Sequence, residues 1–226
     1  MTCRTFTAVA VAFLALAGRA AAQDKYTVKT EDAPPPDELS APVRALLDTK
    51  ALSVSDAKGK PLCTVWPRKA LEAKAGADPK AGLKYANLDE TTVIGAVRFP
   101  EVWGDYRKQK IKPGVYTLRL GFQPMDGDHQ GTAPFNEFCL LAPAKKDEKP
   151  APMDAKALHQ LSAGASGGSH PGVMLLFPNP QPAAEPSVEA KPNETWVLNF
   201  QRPVSAGGQK AVLGFSLVVV GHSIAE

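Results

Sequence analysis

Val115-Tyr-Thr-Leu-Arg-Leu-Gly-Phe-Gln123 is the stretch on which the fold turns. Tyr116, Leu118, Leu120 and Phe122 fall on one face, and Thr117, Arg119, Gly121 and Gln123 on the other. Side chains alternate across a strand, so the pattern predicts a half-buried antiparallel strand with one solvated face. Lys112-Pro113-Gly114 ahead of it is a turn, because proline presets φ and glycine permits a positive one.

The period of two recurs on both sides. Leu52, Val54 and the segment Pro61 to Trp66 bracket Asp56-Ala57-Lys58-Gly59, which has the composition of a hairpin turn. Thr91 to Phe99, Phe135 to Ala142, Gly172 to Phe177, Thr195 to Gln201 and Val212 to Val220 are further expected strands, with Trp196, Leu198 and Phe200 sharing a core face. Two short helices interrupt them. Ser40 caps the first, with Pro42 in its first turn and Val43, Leu46 and Leu47 on its apolar face. Asp154 caps the second, which carries Leu158 and Leu161 on one side. The Lys- and Ala-rich stretch Arg68 to Lys84 is expected as an exposed excursion. Pro178 to Pro192, with five prolines, is expected as a surface connection outside any sheet. These elements predict an all-β, antiparallel β-sandwich, Ig-like or jelly-roll-like, with one or two short helices.

The first 22 residues have the layout of a secretory signal peptide. Arg4 is the positive region, Phe6 to Ala17 is apolar but too short to span a bilayer, and Ala20-Ala21-Ala22 places small side chains before a cut ahead of Gln23. Residues 23–226 then form a single domain that opens on a flexible proline-rich segment and lies in the periplasm or outside the cell. No later segment is long and apolar enough for a membrane span. Cleavage removes Arg4 and Arg19, so 26 basic residues fall to 24 against 23 acidic ones. Charge this balanced gives no basic patch and no nucleic-acid partner. Cys3 leaves with the signal, and it precedes the apolar run, where it cannot serve as a lipid anchor. Cys63 and Cys139 remain, open between a disulfide and two buried thiols.

Chemistry has few places to reside. Met125-Asp-Gly-Asp-His-Gln-Gly131 joins two expected strands and supplies Asp126, Asp128 and His129, types suited to a metal or to acid–base work. Asp and Gly are also what any tight turn prefers. Ala165-Ser-Gly-Gly-Ser-His-Pro-Gly172 supplies His170 and glycines whose N–H groups could approach an anion, without the ending of a P-loop. A divalent metal shared by Asp126, Asp128, His129 and His170 requires the two loops to converge at one end of the sandwich. Trp103 and Tyr106, in a loop-like stretch, are the candidate exposed aromatic platform for a ligand. No GxSxG elbow, cofactor loop or zinc spacing occurs.

The strings IKPGVYTLRLGFQPMDGDHQGTAPFNEF (Ile111 to Phe138), ASGGSHPGV (Ala165 to Val173) and KGKPLCTVWPRK (Lys58 to Lys69) resemble a group of uncharacterised exported bacterial proteins. The resemblance covers most of the mature chain and implies a secreted β-sandwich without an assigned activity. Together these readings favour a non-catalytic binding or accessory module, needing no cofactor, whose partner is an unknown ligand or envelope protein. The alternative is a metal-assisted hydrolase or metal-binding protein using the Asp126–His129 and His170 loops.

Overall fold

The computed structural model describes residues 25–123 and 133–223. Its strands, in chain order, are β1 (Tyr26–Asp32), β2 (Lys50–Asp56), β3 (Pro61–Pro67), β4 (Leu71–Glu72), β5 (Val93–Phe99), β6 (Trp103–Gly104) and β7 (Lys110–Ile111). After these come β8 (Gly114–Phe122), β9 (Glu137–Pro143), β10 (Val173–Phe177), β11 (Ser187–Lys191), β12 (Thr195–Ala206) and β13 (Gln209–Val220). The helices are α1 (Ala41–Leu46) and α2 (Ala155–Ser166). The protein is all-β, as its alternation predicts.

One large sheet runs β1-β2-β3-β5-β8-β9-β10-β13-β12-β11, antiparallel along this whole path, with β4 added in parallel beside β12. β6 and β7 make a separate small hairpin. The sheet curls so that its two ends approach each other. Tyr26 of β1 meets Trp196 of β12 edge to face, with ring centroids 5.2 Å apart. The inward-facing residues of nearly every long strand share one core, from Val54 and Val65 through Leu118, Leu120 and Leu141 to Leu198, Phe215 and Leu217. Two smaller clusters lie outside the sheet. Leu39, Val43 and Leu47 around α1 pack on Trp66 and Ala96, while Leu158 of α2 packs with Leu140, Leu175 and Val218.

Local chemistry explains the helix starts. Ser40 accepts a hydrogen bond from Val43 N at 3.4 Å, and Asp154 accepts one from Ala157 N at 2.9 Å, each satisfying an otherwise orphaned first-turn donor. The 56–59 turn forms as expected, with the Asp56 carboxylate accepting from Lys58 N and Lys60 N.

Four features differ from the sequence reading. First, β8 is buried on both faces, because residues 143–153 return across its second face and Asp147 meets Arg119 there. Second, residues 26–32, where no strand is expected from the sequence, form β1, which pairs with β2 along its full length, from Tyr26↔Asp56 to Asp32↔Lys50. Third, β11 occupies the five proline-free residues between Pro186 and Pro192 and pairs only with β12. It is an edge strand, where flanking prolines interrupt no ladder. Fourth, the 68–84 excursion is anchored, since Leu71 and Leu83 enter the core. Cys63 and Cys139 are separate buried thiols. β5 and β8 stand between their strands, which places them about three strand spacings, or ~14 Å, apart along the sheet, beyond disulfide reach.

Candidate functional site

Trp103 and Tyr106 do not form an exposed platform; they are only 5% and 8% accessible. Trp103 stacks on Phe99 with centroids 4.6 Å apart, and its Nε1 donates to Val219 O at 2.9 Å. The reason lies in the β6–β7 hairpin, which turns Trp103 into the inner core and packs Tyr106 into the outer cluster with Leu158 and Val173. Asp105 organises that hairpin. Its buried carboxylate accepts from Arg107 N, Gln109 N, Gln109 Nε2 and Val173 N at 2.7–3.1 Å. Burial raises the Asp105 pKa despite these four donors.

Asp126, Asp128 and His129 lie outside the described residues. The flanks of that connection sit where β8 ends and β9 begins, held by Gln123 N donating to Asn136 O at 2.7 Å. His170 is exposed and belongs to the opposite end of those strands. β10 runs antiparallel to β9 with Val173 opposite Leu140, so residue 170 falls beyond β9's C-terminal half, beside the start of β8. There Gln109 Nε2 donates to Pro171 O at 2.7 Å, and the Ser166 hydroxyl accepts from Gly168 N at 3.1 Å. These bonds tie the glycine-rich loop to itself and to the neighbouring hairpin. Among the described residues, no three His, Cys, Asp or Glu side chains cluster as metal ligands.

The most connected polar group in the core is Arg119, fully buried on the outer face of β8. Its Nε and Nη2 grip both oxygens of Asp147 at 2.7 and 2.8 Å, and Nη1 donates to Thr91 O at 2.7 Å. Thr117 Oγ1 completes the carboxylate's shell. Thr91 carries φ of 66°, an uncommon conformation for a β-branched residue, and exchanges hydrogen bonds with the Met153 backbone through Oγ1. Every strong donor here is spent on protein, so the cluster fastens residues 143–153 to the sheet and leaves no atom for a ligand.

An open groove remains where the 68–84 excursion and the proline-rich 178–192 connection meet β13. It has a volume of about 300 Å³ and lies over residues 209–214 of β13, between residues 79–83 and residues 179–182. Its origin is the departure of β10. β10 pairs with β13 only at Leu176↔Leu217 and Phe177↔Ser216, and Pro178 then stops the ladder. Tyr85 fills the fork: its hydroxyl donates to Phe177 O at 2.8 Å and accepts from Ser216 N at 3.2 Å. Burial raises the Tyr85 pKa, which keeps that hydroxyl a donor. Asn179 crosses next, donating from Nδ2 to Phe215 O at 3.2 Å. Gly214 is required at this crossing, because a Cβ there would collide with the Asn179 carbonyl oxygen.

Beyond the crossing, Lys210 and Val212 stand in the groove, and Val212 is 49% exposed. Lys80 joins from the facing segment. The lining holds two lysines and no carboxylate, and neither lysine is ion-paired among the described residues. The available sequence signal was the Gly207-Gly208 hairpin turn, with φ of 57° and 79°. Such a turn joins β12 and β13 as a tight hairpin and fixes their register from Ala206↔Gln209 onward.

No family model, curated protein or solved structure matches this chain.

Proposed function

We propose that this is an exported, non-catalytic binding module whose ligand is anionic and sits in the groove over β13. The observation that carries the reading is that Lys80 and Lys210 both line a preformed groove that has no carboxylate in its lining. Two ammonium groups with no carboxylate beside them in the lining attract negative charge and disfavour positive charge. Export rests on the composition of residues 1–22, and a cut after Ala22 would leave β1, which begins at Tyr26, whole. Among the described residues no helix is long and apolar enough to cross a membrane.

The test is a titration of isotope-labelled residues 23–226 with poly-L-glutamate and, separately, poly-L-lysine. Poly-L-glutamate should shift the backbone resonances of Lys80, Lys210 and Val212, and poly-L-lysine should not. The double variant Lys80→Glu, Lys210→Glu should invert that preference. Shifts confined to other surfaces, or equal responses to both polymers, would overturn the reading.

A further inference from the structure

We infer that the anionic ligand is an extended peptide segment, added to the open edge of β13 as an extra strand in the lane that β10 vacates. This rests on the groove's being the binding site. Its independent support is the backbone. Antiparallel neighbours alternate between hydrogen-bonded and non-hydrogen-bonded pairs, and a two-residue turn makes the first pair, Ala206↔Gln209, a bonded one. The alternation then makes Lys210↔Ser205 and Val212↔Pro203 non-bonded pairs. Pro203 checks this assignment, since it has no N–H to offer Val212.

The N–H and C=O groups of Lys210 and Val212 therefore point away from β12, toward the groove. Ser216, two outward positions beyond Val212 and past Gly214, shows the same direction, because its N–H reaches Tyr85 Oη. No described hydrogen bond engages the four outward groups of Lys210 and Val212. An edge with free alternate donors and acceptors is the template for strand addition.

The side chains specify what the added strand carries. Ala211, Leu213 and Phe215 lie on β13's inner side, packed on or within the core, so Lys210 and Val212 share the outer face. A cross-strand neighbour of Lys210 gains by being acidic, and a neighbour of Val212 by being β-branched. The partner is thus an extended segment with Glu or Asp two residues from Val, Ile or Thr. Lys80 in the same lining reinforces the acidic requirement.

The probe is the acetylated, amidated heptapeptide Thr-Thr-Glu-Thr-Val-Thr-Thr, compared with a copy N-methylated at alternate residues, prepared in both phases. The parent should shift Lys210 and Val212 and slow hydrogen exchange at both amides. One phase of N-methylation should weaken it about tenfold, the loss of one to two backbone bonds. Val212→Pro removes an outward donor without touching the β12 ladder and should weaken binding by a similar factor. Should that variant fail to fold, the N-methylated peptides report on the same bonds from the ligand's side. Both N-methylated copies binding as tightly as the parent would overturn strand addition. If the charge-reversed groove then lost the peptide, the anion-binding reading would survive that result. A peptide that shifts no groove residue, together with a groove indifferent to poly-L-glutamate, would overturn both.

Discussion

Arg119 shows how one residue can hold a fold without serving a site. Its guanidinium is paired in bidentate fashion with Asp147 and bonded to Thr91 O, all of it out of contact with water. Removing one partner of a buried pair leaves the other charged and unpaired, which costs far more than the net contribution of the pair. Arg119→Ala should therefore lose about 3–5 kcal/mol in urea unfolding. Arg119→Met combined with Asp147→Leu should recover most of that loss, and a double variant as unstable as the single one would refute the argument. The two thiols give a second expectation. Burial raises both pKa values, Cys63's to about 12, so neither forms appreciable thiolate near neutral pH. A thiol reagent at pH 8 should label neither Cys63 nor Cys139 of folded residues 23–226, and both once denaturant is added.

At the scale of elements, most strands were legible from period two, and both helices from their caps and apolar faces. Asp154 and Leu158 place α2, and Ser40, Val43 and Leu47 place α1. What escaped was the environment of each element. Arg119 alternates in β8 as a solvent-facing residue should, and only the return of residues 143–153 buries it. Trp103 lies in a stretch with no pattern, and the β6–β7 hairpin turns it inward. The groove escaped for the same reason: Lys210 and Val212 look like an ordinary strand end until β10 leaves their side. The crossing that shapes it is testable. Gly214→Ala must displace the Asn179 backbone, so it should cost about 1–3 kcal/mol, measured by thermal or urea unfolding. A neutral substitution would show that residues 179–182 yield easily.

At the scale of the molecule, Arg202 ties β12 to the segments that flank β2 and β3 with three hydrogen bonds. From β12 it donates to Arg68 O at 2.7 Å, to Lys69 O at 3.0 Å and to the Asp48 carboxylate at 2.8 Å. Burial opposes ionisation of Asp48, but hydrogen bonds from Lys50 N and Arg202 outweigh it, and the carboxyl is held below its usual range. A depressed folded pKa contributes stability above the unfolded value, near 3.9, and that contribution is lost as pH falls through the folded value. Asp48→Asn should thus lower Tm by roughly 2–4 °C at pH 7, for about 1 kcal/mol in a chain of this length. The deficit should shrink below about pH 4. A deficit that is constant with pH would assign the loss to packing.

The sequence by itself determined the all-β class, most of the strand positions, the helix caps and the turns, because backbone sterics and side-chain alternation act over a few residues. It also carries the amino-terminal pattern on which the expectation of export rests. Only the tertiary structure decided which strand faces are covered, that Cys63 and Cys139 stand apart, and that Trp103 is core. It alone opened an edge of β13. Those outcomes depend on which distant segment arrives beside a residue. Pro178 turning β10 away, and residues 143–153 folding over Arg119, are contacts between parts of the chain whose local patterns carry no information about each other.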